Sequence, residues 1–189
     1  MFYKCKGITS FSIDLPNLYD AYYMFRECSN LESFESNVDN LQEGEYMFWG
    51  CTKLKTFKPD FVKLTDSSAM FGNTAIETFN KNLSKVKSAS SMFYGCKNLT
   101  NFYSNLDVCT STSSMFENCT KLSSFGSIMP KVTTAKDMFY GCTNLDTFSS
   151  DLSSLKYGDY MFYNCSKLAT FDPKALSSLT EGDYMFHGC

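Results

Sequence analysis

The dipeptide Met-Phe recurs along this 189-residue chain at Met1, Met24, Met47, Met70, Met92, Met115, Met138, Met161 and Met185. Successive copies stand 23 residues apart, except for 22 between Met70 and Met92 and 24 between Met161 and Met185. Self-similarity at such a period marks a stacked repeat, in which each unit buries its apolar face only against its neighbours. With Met as position 1, the shared pattern is M-F-x-x-C-x-x-L-x-x-F, then apolar residues at positions 15 and 18 and a small residue at 21; the stretch Met138 to Tyr160 shows it cleanly. The repeat predicts a single solenoid over residues 1–189, with about eight coils beginning at 1, 24, 47, 70, 92, 115, 138 and 161 and a partial coil at 185–189.

Each column has a physical reason. Positions 2, 5, 8, 11, 15 and 18 supply the interior, and no single coil buries enough to fold alone, so stacking must complete the core. Position 21 is always small (Ala21, Gly44, Ser67, Ala89, Thr112, Ala135, Gly158, Gly182), which predicts a close approach or turn leading into one helical turn. Position 4 is Gly50, Gly95, Gly141 and Gly188, or Asn118 and Asn164, residues suited to a left-handed exit from that turn. The L-x-x-F segment, with Ser or Thr at position 10 in most coils, reads as a short β-strand with its hydroxyls stacked from coil to coil. An Asp/Asn column (Asp14, Asn37, Asp60, Asn82, Asn105, Asp151) suits the turn that follows. The residue missing between Phe71 and Ile76, and the extra one near Pro173, are expected at surface bends. The fold expected is an α/β repeat solenoid in which every coil gives a short parallel strand and a one-turn helix.

The string M-F-x-x-C-x-x-L-x-x-F at this period resembles the BspA-type leucine-rich repeats of cell-surface proteins from bacteria and some parasitic protists. The resemblance covers essentially the whole chain. It implies a leucine-rich-repeat solenoid with a parallel sheet on one side, and a class used in adhesion to host or neighbouring cells. The chain departs from the family pattern two places after the strand Phe, where only Ile13 is aliphatic, and Pro59 and Pro173 would interrupt a strand. The family carries no catalytic motif, so the resemblance transfers no functional residue.

Composition removes several function classes. The net charge is −3, with acids and bases interspersed and Arg26 the only arginine, so the basic footprint of a nucleic-acid binder is missing. Apolar runs such as Tyr46-Met47-Phe48-Trp49 are far too short for a transmembrane segment. His187 is the only histidine, and there is neither a Gly-rich phosphate loop nor a C-x-x-C pair, so no catalytic, cofactor or metal residue is assigned and the chain reads as no enzyme. The nine cysteines fall at position 5, apart from Cys109 at apolar position 18. They read as small buried hydrophobes, with disulfides between adjacent coils conceivable and zinc disfavoured. The N-x-[ST] sequons at Asn82, Asn98, Asn118 and Asn164 read as by-products of the repeat.

Two surfaces are candidates for binding. On the sheet face, position 12 varies freely through Ser12, Glu35, Lys58, Asn80, Tyr103, Gly126, Ser149 and Asp172, of which Glu35, Lys58, Asn80, Tyr103, Ser149 and Asp172 are candidate contacts. The same column would also serve as a plain solvated face. Position 3 gives an aromatic column, Tyr3, Trp49, Tyr94, Tyr140 and Tyr163, beside a second at position 23. It is read either as packing between coils or as an exposed stripe for protein or sugar. The chain starts in register and stops within a coil, so flanking domains or subunits are expected over its open ends. The function expected is a non-enzymatic binding module, the repeat region of a cell-surface or secreted adhesin that recognises protein or glycan on another cell or matrix. The alternatives are a spacer or assembly component of a fibre or appendage, and an intracellular scaffold.

Overall fold

The computed structural model describes residues 1–171 and 176–189. Each L-x-x-F segment becomes a strand only two residues long: β1 (Ser10–Phe11), β2 (Ser33–Phe34), β3 (Thr56–Phe57), β4 (Thr78–Phe79), β5 (Asn101–Phe102), β6 (Ser124–Phe125) and β7 (Thr147–Phe148). Neighbours pair in parallel, with equivalent repeat positions opposite one another, Ser10 to Ser33 and Phe11 to Phe34 for example. The sheet is not continuous. It divides into β1-β2-β3, β4-β5 and β6-β7. A second line of parallel bridges, Asp20 to Glu43, Asp66, Ser88, Ser111, Thr134, Tyr157 and Glu181, runs without a gap on the way into each Met-Phe pair.

The segment around Met-Phe is not the helical turn that the small residue at position 21 suggests, and no α-helix forms among the described residues. Two residues in each copy have positive φ. One stands at position 4, as expected: Lys4, Glu27, Gly50, Asn73, Gly95, Asn118, Gly141, Asn164 and Gly188. The other stands at position 23: Tyr23, Tyr46, Ala69, Ser91, Ser114, Asp137, Tyr160 and Tyr184. A positive φ at the third residue is the signature of a type II turn. Met24 N–H donates to the Ala21 carbonyl (2.9 Å) across Tyr23, and Cys28 N–H to the Phe25 carbonyl (3.0 Å) across Glu27. The alternate N–H groups leave the coil: those of Ala21, Tyr23, Phe25 and Glu27 donate to the carbonyls of Glu43, Glu45, Met47 and Trp49 at 2.7–3.2 Å. A helix would keep all these donors within one coil; here every second one joins the next. Left-handed non-glycine residues cost about 1–2 kcal/mol each, an expense offset by the inter-coil ladder they make possible.

Two phenylalanine columns fill the interior. The position 2 rings stack from Phe2 through Phe25, Phe48, Phe71, Phe93, Phe116, Phe139 and Phe162 to Phe186, with centroids 5.0–5.7 Å apart. The position 11 rings stack likewise except between Phe57 and Phe79, and they meet the first column edge to face, as Phe34 does with Phe48 at 5.0 Å and 67°. Small residues at position 21 make room for the methionine of the coil after next: a Cβ on Gly44 would lie 3.0 Å from Met70 Sδ.

All nine cysteines are free thiols. The position 5 thiols do more than fill space. Cys51 Sγ–H donates to the Phe25 carbonyl of the preceding coil (3.1 Å), the same oxygen that accepts Cys28 N–H. Cys28, Cys96, Cys119, Cys142, Cys165 and Cys189 do likewise at 2.9–3.2 Å. In the unit that lacks cysteine, Thr74 Oγ1 instead meets Cys96 Sγ at 3.3 Å.

The missing residue of that unit does not fall at a surface bend. Thr74 and Ala75 are buried, so the coil is shortened inside. Ala75 N–H bonds the Leu54 carbonyl, whereas other units use the residue just before the strand, as Lys55 does with the Glu32 carbonyl. The sheet parts here, between β3 and β4. The inserted residue near Pro173 lies outside the described residues. Half of the Asp/Asn column closes its own turn as expected: Asn37, Asn82 and Asp151 each accept the N–H two residues on, whereas Asp14 and Asn105 accept the N–H groups of Asn37 and Ile128 in the next coil. The position 10 hydroxyls stand in register, yet no hydrogen bond joins them to one another among the described residues.

Candidate functional site

The strand face carries the position 12 column directly after each strand Phe. Ser12, Glu35, Lys58, Asn80, Tyr103, Gly126 and Ser149 are all exposed, Tyr103 most conspicuously at 69%. Four of them have the backbone tied to the preceding coil. The N–H groups of Glu35, Lys58, Tyr103 and Ser149 donate back to the carbonyls of Phe11, Phe34, Phe79 and Phe125. Asp172 lies outside the described residues. The column is thus one row of solvent-facing side chains on a regular backbone, although the two sheet breaks divide it.

The aromatic column is less uniform than its spacing suggests. Tyr3 is exposed, while Trp49, Tyr94, Tyr140 and Tyr163 are half-buried. Tyr140, Tyr163 and His187 form a face-to-face stack at 4.8 and 4.7 Å. Trp49 reaches Tyr94 at 5.6 Å by passing over Gly72, where an added Cβ would lie 2.1 Å from the indole ring. Ring faces of Trp49, Tyr94, Tyr140 and Tyr163 are covered by neighbouring rings, and the rest of each ring meets solvent.

Sequence reasoning missed Arg26. Its guanidinium carbon sits over the rings of Tyr23 (4.6 Å) and Tyr46 (5.3 Å), and it lines a recess of about 370 Å³ with Tyr3, Tyr22 and Tyr23. The signal available was that Arg26 is the only arginine in a lysine-rich chain. A second cleft, of about 390 Å³, opens where coils 3, 4 and 5 meet on the strand face, and it brings the expected Asn80 and Tyr103 together with Asp60, Asn82, Asn105 and Asp107.

The buried thiols are poor nucleophiles. Desolvation pushes Cys51 and Cys165 up to about 12 and Cys96 and Cys109 to about 11, and lifts Cys119 and Cys142 well above the ordinary thiol value. Lys136 bridges Asp159 (2.8 Å) and Glu181 (2.9 Å), contacts that raise the lysine and lower Asp159. Among the described residues no group of three or more His, Cys, Asp or Glu side chains could hold a metal ion, and no helix is long and apolar enough to cross a membrane.

Short parallel strands stacked at one repeat per coil, with leucine and phenylalanine pointing inward, define a leucine-rich-repeat solenoid. The chain belongs to the BspA type leucine-rich repeat family, whose profile matches residues 1–100 and 65–189 in six copies. Among solved structures it is similar to a leucine-rich repeat protein from Bacteroides ovatus, with 21% identity and a TM-score of 0.70 over 99% of this chain and 54% of that one. The chain thus spans about half the length of that protein. A leucine-rich repeat protein from Eubacterium ventriosum is similar at 13% identity and a TM-score of 0.43, covering 99% of this chain and 84% of that one. No curated protein matches.

Proposed function

We propose that residues 1–189 form one solenoid of about eight coils that works as a non-enzymatic binding module, the repeat region of a cell-surface or secreted adhesin recognising protein or glycan. The observation that carries this reading is the position 12 column. Its described members are exposed and differ in charge, size and polarity from coil to coil, while the Phe before them keeps one buried or half-buried role. A scaffold that holds its backbone constant and varies one outward row can change specificity without changing fold. Among the described residues, the arrangement of titratable groups supplies no nucleophile with a base beside it.

The test is binding to cells or extracellular matrix with the row altered. Replacing Glu35, Lys58, Tyr103 and Ser149 together by alanine should abolish binding and leave the thermal midpoint unchanged. Full binding by that variant would reject the strand face as the recognition surface.

A further inference from the structure

The opening between β3 and β4 exposes more than a break in pairing. Phe57 is half-buried, whereas its column mates Phe34 and Phe79 are 0% and 3% exposed. The rung that joins Glu35, Lys58, Tyr103 and Ser149 to the preceding Phe is unmade here: Asn80 N–H has no acceptor, and the Phe57 carbonyl no donor, among the described residues. A recess of about 220 Å³ lies here, between Phe57 and Asn80. It shares Asn80 and Lys81 with the larger cleft of about 390 Å³. Lys81 Nζ donates to the Lys58 carbonyl at 2.8 Å, pinning the two coils across the gap.

The cleft wall is chemically specific. Ser104 is 4% exposed, its Oγ has no hydrogen-bond partner, and it lines the cleft. Ser36 and Ser150, at the same repeat position, are also orphaned, so the buried hydroxyl without a partner is a feature of the repeat rather than of the cleft. Asn82 and Asn105 use their Oδ1 atoms on the N–H groups of Ser84 and Ile128, and among the described residues their amide nitrogens have no acceptor. Asp60 and Asp107 add acceptors, and Tyr103 presents an exposed ring with no aromatic neighbour among the described residues. Lys81 partly balances the two carboxylates, so the site does not select strongly for charge.

We infer that this cleft is a subsite for a neutral saccharide, an inference that rests on the binding-module reading and gives it a ligand class. A sugar ring offers an apolar C–H face for Tyr103 and a rim of hydroxyls, each both donor and acceptor, for the Asn82 and Asn105 amide donors and the Asp60 and Asp107 carboxylate acceptors. The volume lies at the lower end for small-molecule sites. A peptide would want apolar anchor pockets, and apart from Leu83 and the Tyr103 ring these walls are polar side chains.

The experiment is titration of neutral monosaccharides and disaccharides (glucose, galactose, mannose and their N-acetylated amine forms) into the 15N-labelled chain, followed by amide shifts. At least one sugar should shift Asn80, Tyr103 and Ser104 saturably, with a dissociation constant of roughly a millimolar. Tyr103→Ala should weaken it about tenfold with an unchanged unfolding midpoint, and Asn82→Ala should weaken it as well. Absence of any saturable shift, shifts clustered elsewhere, or undiminished binding by Tyr103→Ala would each overturn the inference. So would a peptide that shifts the same amides when no sugar does. If cell or matrix binding persists while every sugar fails, only the saccharide assignment falls; if the position 12 variant also binds fully, the strand-face reading falls with it.

Discussion

The two sides of each coil solve the stacking problem differently. On the turn side, four N–H groups per coil donate to the next coil, and the pattern passes unbroken through the shortened unit: Ser67, Ala69, Phe71 and Asn73 bond the carbonyls of Ser88, Ser90, Met92 and Tyr94 at 2.7–3.0 Å. On the strand side, pairing lasts two residues per coil and fails between β3 and β4 and between β5 and β6. The aromatic columns follow suit. The position 2 stack is continuous, whereas Phe57 stacks on Phe61 (5.1 Å) in place of a partner in the next coil. Cohesion is concentrated in the turns, and the strand face is left free to open and to vary. That division explains how a sheet can be interrupted twice without the stack coming apart.

Substitutions separate the two sides by size. Phe93→Ala, in the continuous column and in contact with Phe71, Phe79, Phe102 and Phe116, should cost about 3–5 kcal/mol in denaturant unfolding. Phe57→Ala, at the break, should cost roughly 1–2 kcal/mol; equal losses would remove the distinction. Gly72→Ala places a methyl against the Trp49 ring and should cost about 1–3 kcal/mol. It should also shift the emission of this sole tryptophan to the red, and unchanged fluorescence would contradict the packing described.

The thiols sharpen the turn side. Burial raises their folded pKa above the ordinary thiol value of about 8.5, so their stabilising contribution is complete below that pH and is lost as pH rises towards 11–12. The unfolded chain then holds fewer protons than the folded one, which makes the slope of unfolding free energy against pH negative. Each such thiol contributes a slope of up to about 1.4 kcal/mol per pH unit. Cys96→Ala should therefore flatten the alkaline decline between pH 9 and 11, as followed by urea unfolding; an unchanged slope would show that this thiol does not drive it. The smallest effects belong to the strand face, where Glu35→Ala and Ser149→Ala should stay within about 0.5 kcal/mol of the parent.

The repeat, the strand at L-x-x-F, the Asp/Asn turns and the left-handed residue at position 4 were legible because each leaves a periodic chemical signature. Gly and Asn at position 4 announce a positive φ. Tyr, Ala and Ser at position 23 do not, since nothing in those side chains favours it, and the single Asp137 does not mark a column; without that column the segment reads as helix. The thiol bonds were hidden for a related reason: cysteine is as much hydrophobe as donor, and only the carbonyl of the preceding coil shows which property is used. The exposed position 12 row was legible from its variation. The cleft was not, because it lies beside the unmade rung between Phe57 and Asn80, which no side chain in the repeat pattern announces.

Native-state hydrogen exchange, residue by residue, tests the division most directly. The account predicts strong protection of the inter-coil turn donors in every unit, with Ala69, Phe71 and Asn73 as slow as Phe25 and Phe93. It predicts rapid exchange at Asn80 and Gly126, where the rungs of the sheet are unmade, beside slow exchange at Glu35 and Tyr103. Uniform protection along the strand face, or rapid exchange of the turn donors in the shortened unit, would contradict it.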